Sequence, residues 1–527
     1  MEPVVHVLAP VSVAAFLFVL ARFAFSKWLR LAKHAGSVDV RLPPGPTTMP
    51  VLGNVHQLPS DYQEKTFAEW TKQYGDVVYA KIFRRPVLVL GSLRAAQDLL
   101  ERKSGNFSDR PRLILLSELM GWDNVVTHMR VGDRFRKHRR WMHDNFQTRP
   151  ALHGYRPIQQ RETYTLLSGL LESPGDFLSH INRWSTGMIM EITYGHRIES
   201  LEDQYVKLAH DATEATVLAG SPGSMLVDFF PVLKNLPTWM PGAGFKREAF
   251  RIRGLVRAMM DTPYEMVRSA MAAGTARPSF TASLLEETYG RNGPSAQEAE
   301  DIKGAAGVIY GAGTETTVTV ASNFMLAMVL HPEVFKRAQQ EVDSIIGQSR
   351  LPDFDDRPSM PYLDCVLSEV LRWRCPVPLG IPHNTVEADG YRGYHIPGDT
   401  MVIPNMWKMT QDPKYYPDPQ RFRPERWLEM DAATADACNP RKIVFGFGRR
   451  LCPGREFAEA SIWLAAASIL ALFDVSKATD QWGNELTPAG EYVSGFVSQP
   501  KPFVCSIRPR AENARDLIAQ ARSALAV

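Results

Sequence analysis

Ten consecutive residues, Phe445-Gly446-Phe447-Gly448-Arg449-Arg450-Leu451-Cys452-Pro453-Gly454, restrict this chain more than any other feature. They set one cysteine between an arginine two residues before it and a glycine two residues after it. The stretch reads as a loop that presents a thiolate to a metal. A thiolate survives as a ligand when water is kept away and donors point at the sulfur. Gly448 and Gly454 allow tight backbone folding, so that peptide N–H groups face the sulfur. Phe445 is placed to cover it. Arg450 supplies a cation where an acidic group of a cofactor would lie. The plain alternative is a buried free thiol, the default for a lone cysteine.

The complete spacing F-x-x-G-x-R-x-C-x-G resembles that of the cytochrome P450 family of haem-thiolate monooxygenases. The resemblance covers almost the whole chain. It implies a mainly α fold with small β-sheets, haem b as cofactor, and Cys452 as the axial ligand of its iron, with Phe445, Arg450 and Gly454 around it.

A second stretch, Tyr310-Gly311-Ala312-Gly313-Thr314-Glu315-Thr316-Thr317, lies in a segment patterned as one long helix from about 296 to 329. Gly311 and Gly313 each cost a helix about 1 kcal/mol relative to alanine, and are expected to open it locally. Glu315 and Thr316 resemble the family's oxygen-activating pair, an acid behind a hydroxyl that organises water for proton delivery. A helix kinked only for packing is the alternative.

Further positions follow from the resemblance. The basic run Arg134–Trp141 reads as one helix, and the family pattern W-x-x-x-R falls there on Phe135 and Arg139. Arg139 is a candidate contact to a haem propionate. Phe135 lacks the indole N–H that a tryptophan would donate. His383 ends the run Pro376–His383 where the family places a propionate-binding Arg or His, although a lone histidine is often structural. Glu369 and Arg372, with Arg426 from Phe422–Trp427, would form a buried triad that must be complete to be stable.

Lys plus Arg is 60 against 57 for Asp plus Glu, a net charge of +3 that makes no case for nucleic acid. Five cysteines with no paired spacing argue against a disulfide framework and against zinc. Residues 3–21 carry no charged side chain and are followed by Lys27, Arg30, Lys33 and Arg41. That length spans a bilayer, and the following cations place the rest of the chain in the cytosol. The expected organisation is a single-pass anchor in the endoplasmic reticulum membrane over 1–25, a basic and proline-rich linker over 26–50, and one monooxygenase domain over 51–527. A cleaved signal peptide is the competing reading. The sequon Asn106-Phe107-Ser108 would go unused in the cytosol.

Strands are expected over 77–82 and 87–90, turning at Arg84-Arg85-Pro86. Amphipathic helices should fill most of 155–290. The apolar stretches 225–231 and 236–242 suit a membrane contact, a pocket gate or plain packing. Residues 113–126 are expected to roof the pocket in part. A hairpin over 491–508 should bring Phe496 and Val497 toward it, and the tail from 511 reads as helix.

The resemblance implies monooxygenation of a small lipophilic or secondary-metabolite substrate such as a terpenoid, sterol or aromatic compound. Electrons would come from NADPH through a membrane-bound flavoprotein reductase, with cytochrome b5 as a second candidate donor. An exposed basic face near the haem suits such an acidic donor. Glu118–Trp122, Pro241–Arg247 and Tyr391–Pro397 resemble basidiomycete enzymes of the O-methylsterigmatocystin-oxidoreductase-like and tryptamine-hydroxylase kinds. None of these stretches fixes the substrate. A haem-thiolate isomerase or dehydratase acting on a peroxide without a reductase is the alternative. A non-catalytic haem sensor is a third reading.

Overall fold

The computed structural model describes residues 41–219, 226–289, 293–347 and 349–525. The apolar stretch 3–21 and its anchor expectation lie outside the described residues. Twelve helices of ten residues or more occur among the described residues. They are α1 (Gln63–Tyr74), α2 (Asp133–Phe146), α3 (Arg149–Glu172), α4 (Phe177–Tyr194), α5 (Gln204–Leu218) and α6 (Gly244–Ala272). Then follow α7 (Phe280–Tyr289), α8 (Ala296–Leu330), α9 (Pro332–Ile346), α10 (Pro361–Trp373), α11 (Arg455–Leu472) and α12 (Ala514–Ala524).

Helix α8 is the core of this arrangement. Its start is fixed by a capping box: the Ser295 side chain accepts from Glu298 N, and the Glu298 carboxylate accepts from Ser295 N. Its end is set by Pro332, which opens α9 at a position where a missing N–H costs nothing. Apolar residues surround most of α8, so it is buried on several sides, as a helix at the centre of a large core must be. Helix α4 lies along it, α3 packs on α4, and α11 closes against α3 and α8. The Gln159 amide on α3 donates to Phe457 O and Ser461 Oγ of α11, so this contact is polar as well as apolar.

Four strands form the main sheet: β1 (Val77–Ile82), β2 (Arg85–Leu90), β3 (His383–Asn384) and, later in the chain, β6 (Met401–Pro404), in the order β1-β2-β6-β3. The β1–β2 turn is tighter than expected. Phe83 carries it at φ +53°, and Pro86 stands in β2 opposite Lys81. Pro86 is tolerated because the parallel pairing of β2 with β6 begins only at Val87. The proline-rich stretch is also not a free spacer over its whole length. Pro44 O accepts from Tyr79 N of β1, and a Cβ on Gly45 would stand 1.8 Å from Tyr79 O.

Strands β7 (Phe473–Thr479), β8 (Glu485–Leu486) and β9 (Cys505–Pro509) make a three-stranded sheet. Here β9 pairs with β7, so the end of the expected 491–508 hairpin closes on a different strand. What remains of that hairpin is a small loop joined at the Tyr492–Pro500 bridge. Strands β4 (Asp389–Tyr391) and β5 (Tyr394–Ile396) pair with each other and, with residues 41–43, form a separate compact unit in which His395 N donates to Arg41 O.

Candidate functional site

The cysteine loop enters from a short helix, Arg441–Val444, and leaves into α11. Gly446 (φ +82°) and Gly448 (φ +53°) take left-handed conformations that favour glycine. A Cβ on Gly448 would also stand 2.2 Å from Leu100 O, so backbone meets backbone there. Gly454 needs no such freedom. Its role is its N–H, which points at the Cys452 sulfur. The Cys452 N–H donates to Phe445 O at 2.8 Å, closing the loop, and the Phe445 ring is half-buried against the core. Burial pushes the Cys452 thiol up, while the Gly454 N–H and the Arg139 and Arg455 guanidiniums favour the thiolate. One peptide N–H, that of Gly454, thus reaches the sulfur.

Beside the loop lies a buried group of bases. The Arg450 guanidinium donates to Ser108 O (2.8 Å), Val126 O (3.0 Å) and Met129 O (2.7 Å). It also stacks 3.9 Å from the Phe135 ring centroid. Phe135, which lacks an indole N–H to donate, thus supports a cation with its face. Arg139 donates to Leu451 O at 2.9 Å, next to the cysteine. His383 Nδ1 meets Phe107 O at 2.7 Å, so this nitrogen carries the proton.

Two members were not visible in the sequence. Arg110 is fully buried and donates to Thr127 O, Ile381 O and Pro382 O. His128 is held by Thr127 Oγ1. Burial first, then Arg110 and Arg450, push His128 down to about 3. Burial and the same two arginines hold His383 well below its ordinary value. Arg450 is lowered to about 10 by burial and by Arg139, against the pull of Asp109. That acid is already committed: Asp109 binds Arg130 and Val131 N.

Buried bases that depress one another call for an anion to complete them. The two carboxylates of haem fit this requirement, and a thiol ligand stands beside it. The residues present therefore fit haem. In the neutral His383 ring the proton on Nδ1 leaves Nε2 an acceptor, so an arriving carboxylate would have to bring that ring a proton as well.

The second candidate stretch is the middle of α8. Its helical hydrogen bonding runs unbroken through Gly311–Thr317, without the local opening expected. The two glycines do different work. A Cβ on Gly311 would meet nothing within 4 Å, whereas one on Gly313 would stand 2.8 Å from Ile189 Cδ1. Gly313 lets α4 approach, and Gly311 faces open space. Ala312 is exposed, unlike the buried stretches on either side, which marks a cavity face. Thr316 Oγ1 donates to Ala312 O at 2.8 Å, leaving its lone pairs as acceptors. Burial raises the Glu315 carboxyl, with His210 of α5 opposing. Among the described residues no hydrogen bond joins Thr316 or Glu315 to Cys452.

The triad is assembled and buried. Glu369 accepts from Arg372 (2.9 and 2.8 Å), Arg426 (3.1 and 3.1 Å), Trp427 Nε1 (3.2 Å) and Arg423 N (2.9 Å). The two guanidiniums also donate to the carbonyls of Pro417, Pro419 and Arg421. No charge in it is left without a partner. The sequon asparagine is occupied too: Asn106 Oδ1 accepts from Val386 N and Glu387 N, and Nδ2 donates to Glu387 O.

The sequence model of the cytochrome P450 family matches residues 43–507. Cytochrome P450 monooxygenase 176 of Postia placenta is 44% identical over 506 residues, covering 96% of this chain and 96% of that protein. Cytochrome P450 monooxygenase 136 of the same fungus is 43% identical over 520 residues, 99% of this chain and 97% of the relative. Cytochrome P450 monooxygenase claR of Ampulloclitocybe clavipes is 40% identical over 490 residues, 92% and 90% of the two chains.

Proposed function

This chain belongs to the cytochrome P450 family of monooxygenases, and from that premise we propose that it inserts one oxygen atom of O2 into a small lipophilic or secondary-metabolite substrate. NADPH would supply the electrons through a flavoprotein reductase, with cytochrome b5 as a further donor. The observation that carries the reading is Cys452 beside the buried group Arg110, His128, His383 and Arg450, which lacks the anion that haem would bring. Bound there, haem would supply activation of dioxygen at an iron whose thiolate ligand favours O–O cleavage.

The chain's own residues then have distinct tasks. Cys452 is the ligand, turned toward the thiolate by the Gly454 N–H and Arg139. Arg139, His383 and Arg450 hold the carboxylates, joined by Arg110. Thr316, its proton committed to Ala312 O, orients water through its lone pairs. Glu315, protonated to higher pH than an ordinary carboxyl, is the proton source behind it. Glu369, Arg372 and Arg426 keep the cysteine loop's surroundings rigid. The Glu315–Thr316 pair favours oxygen insertion over the peroxide-isomerase alternative, which needs no proton delivery.

Two surfaces support the partners. Arg136 and Arg140 project from the exposed side of α2 and suit an acidic reductase face. Among the described residues no single helix is long and apolar enough to cross a membrane. An apolar surface is present all the same: Val51, Val232 and Trp239 are 77%, 71% and 78% exposed. Phe83 packs against Phe229 and Phe230 at the base of it. With Lys234 and Lys246 beside it, this surface supports a position on the cytosolic side of the endoplasmic reticulum membrane, anchored by residues 1–25.

The reading is tested on the purified full chain. Reduced and exposed to carbon monoxide, it should give the absorption band of a thiolate-ligated haem, and Cys452→Ala should abolish it. Retention of that band in the variant overturns the ligand assignment. With reductase and NADPH, Thr316→Ala should keep consuming NADPH while product per NADPH falls about tenfold. Unchanged coupling overturns the role of Thr316.

A further inference from the structure

Four charged side chains join the two ends of the cysteine loop. Arg441 opens the short helix that leads into it, and Glu459 stands in the second turn of α11, which leads out of it. Arg441 Nε lies 3.2 Å from Glu459 Oε2. Arg441 Nη2 lies 3.5 Å from Asp364 Oδ1 on α10, and Nη1 donates to Ser368 Oγ one helical turn further on. Arg357 comes from the helical turn Phe354–Ser359. Its Nη2 donates to the same Asp364 oxygen at 2.9 Å and lies 3.8 Å from Glu459 Oε2. Each guanidinium therefore meets both carboxylates, and the four charges cancel.

This ring is sheltered. Arg441 and Glu459 are 16% and 18% exposed, so water and salt screen them less than they screen a surface pair. Their contact is an ion pair without hydrogen-bond alignment, because the buried Arg441 Nε meets no hydrogen-bond acceptor. Such a contact is a weak clamp. What remains is its placement of charge.

That charge reaches the sulfur. Arg139 and Arg455 favour the Cys452 thiolate, and Glu459 opposes it. Burial raises the Glu459 carboxyl, while Arg441, Arg357 and Arg455 work against that rise. A negative charge beside a metal centre resists the arrival of an electron there, and a positive charge assists it. Glu459 and its two arginines thus act on the ligand with opposite signs, from outside the loop.

We propose that the Glu459 carboxylate lowers the reduction potential of the haem held by Cys452, and that Arg441 and Arg357 limit how far it does so. The inference rests on the haem reading given above. The step concerned is the one-electron reduction of ferric to ferrous haem. Its electron comes from the reductase, and no bond forms or breaks on the protein. Glu459 touches neither substrate nor haem in this role and acts through the field at the sulfur. One unit charge at about 10 Å, with an effective dielectric constant of about 20, changes such an equilibrium about tenfold. That is about 59 mV for a one-electron couple.

The test is a reductive titration of the haem-loaded full chain with dithionite and mediator dyes, followed by the haem absorption spectrum. Glu459→Gln should favour the ferrous form about tenfold, a rise of about 59 mV. Arg441→Gln should disfavour it by a similar factor, and the double variant should return to within about twofold of the wild type. Opposite signs are the signature of charge, because a loosened loop would move both single variants the same way. Shifts of the same sign, or no shift in either variant, overturn the proposal. If Arg441→Gln does not accumulate as folded protein, Arg357→Gln leaves the loop's own helices intact and should disfavour the ferrous form about threefold. An unshifted Arg357→Gln in that case also overturns it. A wild-type chain that shows no haem band on loading overturns the haem reading beneath the proposal. A normal band with unmoved potentials overturns the proposal alone.

Discussion

Arg110 shows how much a single side chain can mean without a motif. It follows Asp109 in a stretch with no helical or strand pattern, and its three carbonyl partners come from residues 127, 381 and 382. Only folding brings those together, so no reading of neighbouring residues could find it. Cys452, Glu369 and Arg372 were legible for the opposite reason: the chemistry of each is spelled within a few consecutive positions. Phe135 stands between these cases. Its departure from tryptophan was visible, but its stacking beneath Arg450 was not. Arg110→Met should leave the thiol loop in place and weaken haem retention about tenfold, the scale of one charge-assisted hydrogen bond. The ratio of haem to protein absorbance after dialysis measures it. Full haem content in the variant would mean that the carboxylates are held by Arg139, His383 and Arg450 alone.

At the scale of elements, α8 and α2 meet in a buried cluster. Asp301 is 1% exposed, and Arg134, Lys137 and His138 surround its carboxylate. Burial works to raise this carboxyl, but His138 at 3.6 Å and the close ion pairs with Lys137 and Arg134 outweigh it and hold it well below the ordinary range. A depressed carboxyl stabilises the fold at pH values above its unfolded value near 4, and that stability is lost as pH falls through the folded value. Asp301→Asn should therefore cost about 3 kcal/mol at neutral pH, and it should flatten the loss of stability below about pH 4. Thermal unfolding at a series of pH values checks both. The glycines of α8 give a second contrast. Gly311→Ala fills open space and should stabilise by about 1 kcal/mol, the difference in helix propensity. Gly304→Ala would drive a Cβ to 2.1 Å from Asn124 O and should destabilise by about 3 kcal/mol or more. Denaturant midpoints separate the two. The extent of α8 was legible from its helical pattern over about 296 to 329, while the capping box that starts it was read only from the structure. The β1–β2 turn was misplaced because Pro86, a common turn residue, sits in a strand already paired with β1, whose pairing with β6 starts one residue later.

Across the whole molecule, pairing between distant parts was the least legible feature. Strand β2 lies beside β6, more than 300 residues away, and β9 lies beside β7. Strand pattern alone names no partner. The fold class was legible because helical periodicity dominates and the cysteine motif chose among helical folds. Charge acts at this scale too. Arg136→Glu with Arg140→Glu should raise the reductase concentration needed for half-maximal NADPH turnover about tenfold at low salt. The gap should narrow at 1 M salt, where the screening length falls to about 3 Å. A gap unaffected by salt would place the reductase elsewhere. Finally, α8 is a rod about 52 Å long at 1.5 Å per residue. It is held by α2 at Asp301 and by the Tyr492 hydroxyl at Asn323, α4 lies along it, and only the face at Gly311 and Ala312 opens between the two holds. A beam clamped near both ends answers a load at mid-span by bowing, and its ends stay put. Bulkier ligands would then be taken up as curvature around Gly311 and Ala312, with neither clamp moving out of register.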